Sequence, residues 1–114
     1  PIGVIIVGTL MHIRDEDDPW REVKGFTDAV CPGSYLAITH LTADFEPERM
    51  NALANSYNTG PLWVTLRTRE QVERFFEGFD LVEPGLVPTF AWRPDGPKPE
   101  ALIPGSYGAV GRKR

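Results

Sequence analysis

Two histidines are present, and each follows a run of apolar, β-branched residues. His12 comes after Ile2-Gly3-Val4-Ile5-Ile6-Val7-Gly8-Thr9-Leu10, and His40 after Tyr35-Leu36-Ala37-Ile38-Thr39. An imidazole titrates close to neutrality, which suits it to orient a substrate or to take a proton from one. In open α/β sheets, ligands sit beyond the C-terminal ends of the strands. That rule selects Thr9, Leu10, Met11 and His12 after the first run, and His40, Leu41 and Thr42 after the second. His12 and His40 are therefore the candidate catalytic residues. For His12 there is also a plainer reading, a side chain that caps its loop and packs beneath a ligand.

Other side chains are weaker candidates. Two histidines could form a metal pair, but no patterned carboxylate or cysteine accompanies them, and no metal site is expected. The run Asp15-Glu16-Asp17-Asp18 lacks the central glycine and terminal glutamate of an EF-hand loop and reads as a solvated helix-capping segment. Trp20, Trp63 and Trp92 could each stack on a planar molecule. Trp20 falls on a helix face and reads as core, so Tyr57 and Trp63 are the better pocket walls. Cys31 has no basic neighbour and reads as structural.

The elements that must hold these residues follow from pattern. The first apolar run does not alternate, which predicts a strand buried on both faces within a parallel sheet. Asp18-Pro19 is an N-cap and first-turn pair for a helix over about Trp20 to Val30, with Trp20, Val23, Phe26, Thr27 and Val30 on one face. Pro32-Gly33 turns the chain into the second strand, Tyr35 to Thr39. A second helix opens at Asp44 or Phe45 and runs to about Tyr57, stopped by Asn58-Thr59-Gly60-Pro61. Trp63 to Leu66 is a short extended piece. Thr68 with Gln71 forms a capping box for a helix through Phe76, its apolar face being Val72, Phe75, Phe76 and Phe79. Leu81 to Val87 is a third strand broken at Pro84-Gly85, Pro94 to Pro104 a proline-rich loop, and Ser106 to Gly111 a last strand. Alternating strands and helices define an α/β fold with a mainly parallel sheet.

The chain of 114 residues is 41% hydrophobic and 25% charged, in the range of a soluble globular domain. A net charge of −4 argues against nucleic acid or an anionic membrane as partner. The closing Arg112-Lys113-Arg114 reads as a solvated tail. A single cysteine excludes an intramolecular disulfide and fits a reducing, cytoplasmic setting. No apolar run is long enough to span a bilayer, and the Ile2–Leu10 run lacks the flanks of a signal peptide.

Pro1 stands where an initiator methionine would be, and residue 2 is already inside the most apolar run. The first strand should then present an open edge, which invites pairing with another strand. The expected cover is a missing N-terminal part of the same protein, or another chain.

With these elements in place, the sequence resembles the C-terminal half of the class I S-adenosylmethionine-dependent methyltransferases. Leu10-Met11-His12-Ile13 is similar to the end of their fourth strand, and Cys31-Pro32-Gly33-Ser34-Tyr35-Leu36 to the turn into their fifth. Gly78 to Gly85 resembles the entry to the sixth, and Tyr107 to Lys113 their antiparallel seventh. Gly33-Ser34-Tyr35-Leu36 together with Arg67-Thr68-Arg69, Glu83-Pro84-Gly85-Leu86-Val87 and Trp92-Arg93-Pro94 is similar to an actinomycete family. That family was formerly known only as a domain of unknown function.

The resemblance implies a Rossmann-like methyltransferase fold over residues 1–114, mainly parallel with an antiparallel last strand. It implies S-adenosylmethionine as cofactor of the complete protein and a small-molecule methyl acceptor. Thr9, Leu10, Met11 and His12 would lie beside the methionine moiety. His40, Thr42, Tyr57 and Trp63 would face the acceptor. The glycine-rich turn and the acidic ribose ligand of the family are absent from this chain, so the chain alone is expected to bind the cofactor weakly or not at all. Two other readings stand beside it: a non-catalytic half-domain that pairs through its open strand edge, and a different Rossmann-like enzyme such as a dehydrogenase.

Overall fold

The computed structural model describes residues 1–97 and 104–114. Its five strands are β1 (Gly3–Ile6), β2 (Tyr35–Leu41), β3 (Phe79–Leu81), β4 (Val87–Pro88) and β5 (Ser106–Lys113). Three α-helices accompany them: α1 (Pro19–Asp28), α2 (Pro47–Asn58) and α3 (Arg69–Glu73), the last continued by a 3-10 turn over Arg74–Phe76. No helix among the described residues is long and apolar enough to cross a membrane. Within the expected proline-rich loop, residues 94–97 and 104 lack regular structure, and the rest of that stretch lies outside the described residues.

The local signals set the helix starts. Asp18 adopts φ 49° and accepts from the Arg21 amide, with Pro19 in the first turn of α1. Thr68 and Gln71 make the reciprocal capping box of α3. On α1, Val23 and Thr27 turn inward and Trp20 is half-buried, whereas Phe26 points outward.

The sheet corrects the expectation of mainly parallel pairing. Its order is β1-β2-β5-β3, with β4 also paired to β5. Only β1 and β2 run parallel. β5 lies antiparallel to β2 along its whole length, from Tyr35 opposite Arg112 to Leu41 opposite Ser106. Its other edge is shared by β3 and β4, both antiparallel. One crossover makes a parallel pair; the late strand then enters between β2 and β3 and reverses the rest. The third strand is split, since a turn through Pro84-Gly85 separates β3 from β4.

Side chains alternate across a strand, so the register sorts them onto two faces. The first carries Val4, Ile6, Leu36, Ile38, His40, Tyr107 and Ala109, packed against Val23, Val72, Phe75, Phe76 and Phe79 in one core. Gly111 belongs to this face for steric reasons: a Cβ there would stand 2.9 Å from Phe76 Cδ1 and from Phe79 Cβ. The second face carries Ile5, Tyr35, Ala37, Thr39 and Val110. Among the described residues the Thr89–Trp92 segment reaches it, forming a shallow groove of about 240 Å³.

β1 is consequently not buried on both faces as its composition suggests. It is an edge strand, and Ile5 is 74% exposed. The basic end of the chain is not a solvated tail either. Arg112 and Lys113 belong to β5, and Lys113 Nζ donates to the carbonyls of Thr27 (2.6 Å) and Val30 (2.8 Å) at the end of α1. A cation there satisfies carbonyls that the helix leaves unpaired.

Candidate functional site

β1 and β2 both end at the same rim of the sheet, and the chain leaves β1 through a 3-10 turn over Leu10–His12. Gly8 begins this exit at φ +66°, its amide donating to Thr39 Oγ1 at 3.3 Å. Nothing lies within 4 Å of where a Cβ on Gly8 would stand, so the backbone is open to close approach there. Thr9 turns its hydroxyl back to the Val7 carbonyl. Leu10 and Met11 are buried, with Leu10 in the core.

His12 Nδ1 lies 2.8 Å from the Trp63 carbonyl. A carbonyl only accepts, so Nδ1 carries the proton and Nε2 keeps its lone pair. Nε2 has no hydrogen-bond partner among the described residues.

The rim opens into a cleft of about 380 Å³ lined by Gly8, Met11, His12, Leu41, Leu53, Tyr57, Leu62 and Val64. Leu53 and Tyr57 are side chains of α2 that stay partly exposed while Met50 and Ala54 of the same helix are buried. The far wall is held by Asn58, which donates to the Val64 carbonyl (3.1 Å) and accepts from its amide (2.7 Å). The segment expected to be extended, Trp63 to Leu66, joins no strand, but Thr65 donates from its amide to the Met11 carbonyl at 2.7 Å.

His40 sits elsewhere. It is 0% exposed, stacked against Phe75 with centroids 6.1 Å apart. Arg67 Nη1 donates to its Nε2 at 2.9 Å, and its Nδ1 donates to the Leu41 carbonyl at 2.8 Å. A guanidinium has no acceptor, so the imidazole is neutral with its proton on Nδ1. Burial, with a further contribution from the Arg67 cation, pushes its pKa down to about 4. The expectation that His40 meets a substrate does not fit this arrangement, because both ring nitrogens are used inside the core.

Arg67 is the residue that sequence reasoning passed over. It is 1% exposed, and all five of its N–H groups have acceptors. Nε and Nη2 reach Asp15 Oδ1 at 3.2 and 2.9 Å, Nη1 reaches the Leu10 carbonyl and His40, and Nη2 also reaches the Ile13 carbonyl at 2.7 Å. One side chain thus ties both flanks of the His12 turn to β2. Asp15 is therefore not merely a solvated member of the acidic run. The available signal was the Arg67-Thr68-Arg69 motif of the family resemblance, which marked the position but gave the side chain no role.

The other expected residues divide. Thr42 is buried, its hydroxyl accepting from the Asp44 amide at 3.1 Å. Tyr57 lines the cleft. Trp63 does not: its indole donates to Thr65 Oγ1 at 2.8 Å, and Arg14 stacks on its ring at 4.0 Å. Trp20 packs on Phe75, centroids 5.4 Å apart, in agreement with its reading as core. Cys31, read as structural, is exposed, and the neighbouring Ser34 hydroxyl lowers its thiol pKa. Among the described residues no group of three or more His, Cys, Asp or Glu side chains could hold a metal ion.

The described residues thus form an open, mixed α/β sheet with a ligand-sized cleft beyond its two parallel strand ends. Comparison gives the family: its sequence profile, described as S-adenosyl methyltransferase, matches residues 1–114, and the chain belongs to this family. A DUF574 family protein from Streptomyces avermitilis MA-4680 superposes with a TM-score of 0.94 at 34% identity, covering 100% of this chain and 45% of that one. A methyltransferase candidate from Thermobifida fusca YX superposes at 0.85 with 38% identity, covering 100% and 44%. A SAM-dependent methyltransferase from Anabaena variabilis ATCC 29413 shares the fold, with a TM-score of 0.59 at 14% identity and coverage of 98% and 49%. The chain spans less than half the length of each of these solved relatives. No curated protein matches it.

Proposed function

We propose that this chain is the acceptor-side half of an S-adenosylmethionine-dependent methyltransferase acting on a small molecule. The observation that carries the reading is the cleft at the β1 and β2 ends, where His12 presents a free Nε2 beside Met11 and Tyr57.

The described residues fit one end of the cofactor. The open backbone at Gly8, with Thr9, Leu10, Met11 and His12 following it, would take the methionine moiety. No carboxylate lines the cleft to hold ribose hydroxyls, so the remaining contacts belong to a part of the protein outside this chain. When bound, the cofactor supplies an electrophilic methyl group, and the protein mainly has to align an acceptor and exclude water. His12 would accept the proton that an acceptor hydroxyl loses. His40 would act through Arg67 by holding the turn in place, not by touching substrate.

The test is equilibrium dialysis of S-adenosylmethionine against the full-length protein and against residues 1–114. We expect binding by the first and little or none by the second. Binding of a nicotinamide cofactor in place of S-adenosylmethionine would instead favour a dehydrogenase. In the full-length enzyme, His12→Gln should lower kcat by about 10²-fold, the lower range for a lost general base, without weakening cofactor binding.

A second reading has its own support: a non-catalytic half-domain that pairs through its open edge. Ile2, Ile5 and Val7 are all exposed along β1, an arrangement proteins usually cover. The intact mass of the natural polypeptide separates the two. A mass near 12.7 kDa favours the pairing module, and about twice that or more favours the enzyme.

A further inference from the structure

A quarter of the residues are charged, yet no Asp, Glu, Lys or Arg lines the cleft at the end of β1 and β2. Leu53, Tyr57 and Leu62, three of the ten exposed large hydrophobic side chains among the described residues, all stand at this one opening. Met11 and Leu41 form the opposite wall. On the α2 side, against Leu53, Tyr57 and Leu62 and away from the Gly8 backbone, a carboxylate or ammonium would lose hydration without meeting a counter-charge. A flat apolar ring would lose nothing comparable and would bury the exposed leucines.

Tyr57 and His12 are the polar side chains of the lining. With its Nδ1 proton given to the Trp63 carbonyl, the neutral His12 ring offers Nε2 as an acceptor. A ligand that matches both features is uncharged, aromatic and carries a hydroxyl. A volume of about 380 Å³ is in the range of sites for small organic molecules.

We propose that the methyl acceptor is a neutral phenol-type compound, its ring held between α2 and the Met11–His12 turn and its hydroxyl donating to His12 Nε2. Naming this ligand an acceptor rests on the methyltransferase reading; the binding chemistry does not.

The experiment uses the full-length protein with no methyl donor present, titrated calorimetrically with 2-naphthol, naphthalene and 2-naphthoate. Amide chemical shifts locate the bound ring. We expect 2-naphthol to bind about tenfold or more tighter than 2-naphthoate, with shifts at Gly8, His12 and Tyr57. His12→Ala should remove the preference for 2-naphthol over naphthalene, and Leu53→Asp, at a partly exposed position, should weaken both. Equal or tighter binding of 2-naphthoate, or shifts confined to other surfaces, would overturn the proposal. The two readings fail separately. Binding of S-adenosylmethionine without 2-naphthol would refute the acceptor class and keep the enzyme. Binding of 2-naphthol without S-adenosylmethionine would keep the aromatic site and refute the methyltransferase.

Discussion

Arg67 Nη1 donates to His40 Nε2 across 2.9 Å in the buried interior, joining the segment before α3 to the end of β2. From that contact the guanidinium continues to the carbonyls on either side of His12, those of Leu10 and Ile13. The residue with the free imidazole nitrogen is thus positioned by a residue with none.

Arg67→Ala should destabilise the fold by about 3–5 kcal/mol, because it leaves His40 Nε2 and the Ile13 carbonyl without a donor and opens a cavity in the interior. Arg67→Lys should recover part of this, since three donors on a flexible stem cannot reproduce the fork. Urea denaturation midpoints measure both, and a loss below about 1 kcal/mol for alanine would show that the network carries little.

Stability should fall with acid through the titration of His40. Its folded pKa of about 4 lies below the ordinary 6.5, so the unfolded chain binds more protons between those values. The contribution is fully present above pH 6.5 and is lost as pH falls toward 4. The shift corresponds to roughly 3 kcal/mol at 1.36 kcal/mol per unit. Unfolding free energies of the wild type and His40→Gln across this window should differ in slope, the variant being flatter.

Gly111→Ala should cost about 1–3 kcal/mol. The added methyl would stand 2.9 Å from both Phe76 and Phe79, and its backbone contacts in β5 prevent a simple shift. A thermal melt that moves by less than about 2 °C would contradict this crowding.

Lys113→Met should loosen the end of α1 by about 1 kcal/mol, through loss of a cation on the Thr27 and Val30 carbonyls. Hydrogen exchange of the last α1 amides is the direct readout, and protection equal to wild type would rule the cap out.

Residues 1–114 alone should self-associate through the exposed edge and second face of β1. Sedimentation should show a species above 12.7 kDa that dissociates on dilution. Ile5→Lys should shift it to monomer; a wild-type chain that is monomeric at all concentrations would show that this face needs no partner.

Several features were readable along the chain because their causes are local. The Asp18-Pro19 start of α1 and the Thr68–Gln71 box of α3 depend on residues three positions apart. So does the alternation of strands and helices, and the motifs that placed the chain in its family. The rim after β1 and β2 was also within reach, since strand ends locate it, and Met11, His12 and Tyr57 do meet there.

Other features depend on where distant segments return. The antiparallel sense of the last strand was legible through the family resemblance, but its pairing with β2, at least 65 positions away, and with the split third strand makes the sheet mostly antiparallel, and no local pattern shows that. The apolar composition of β1 suggested two covered faces, but the tertiary structure puts it at the sheet edge and leaves Ile5 exposed on one face. His12 and His40 had equivalent settings in the sequence. Tertiary structure alone separated them, by bringing Arg67 to one and the Trp63 carbonyl to the other. A hydrogen-bond donor in the core requires an acceptor, and a carbonyl requires a donor, so these two contacts set which imidazole is spent on the fold and which keeps a ring nitrogen unpaired among the described residues.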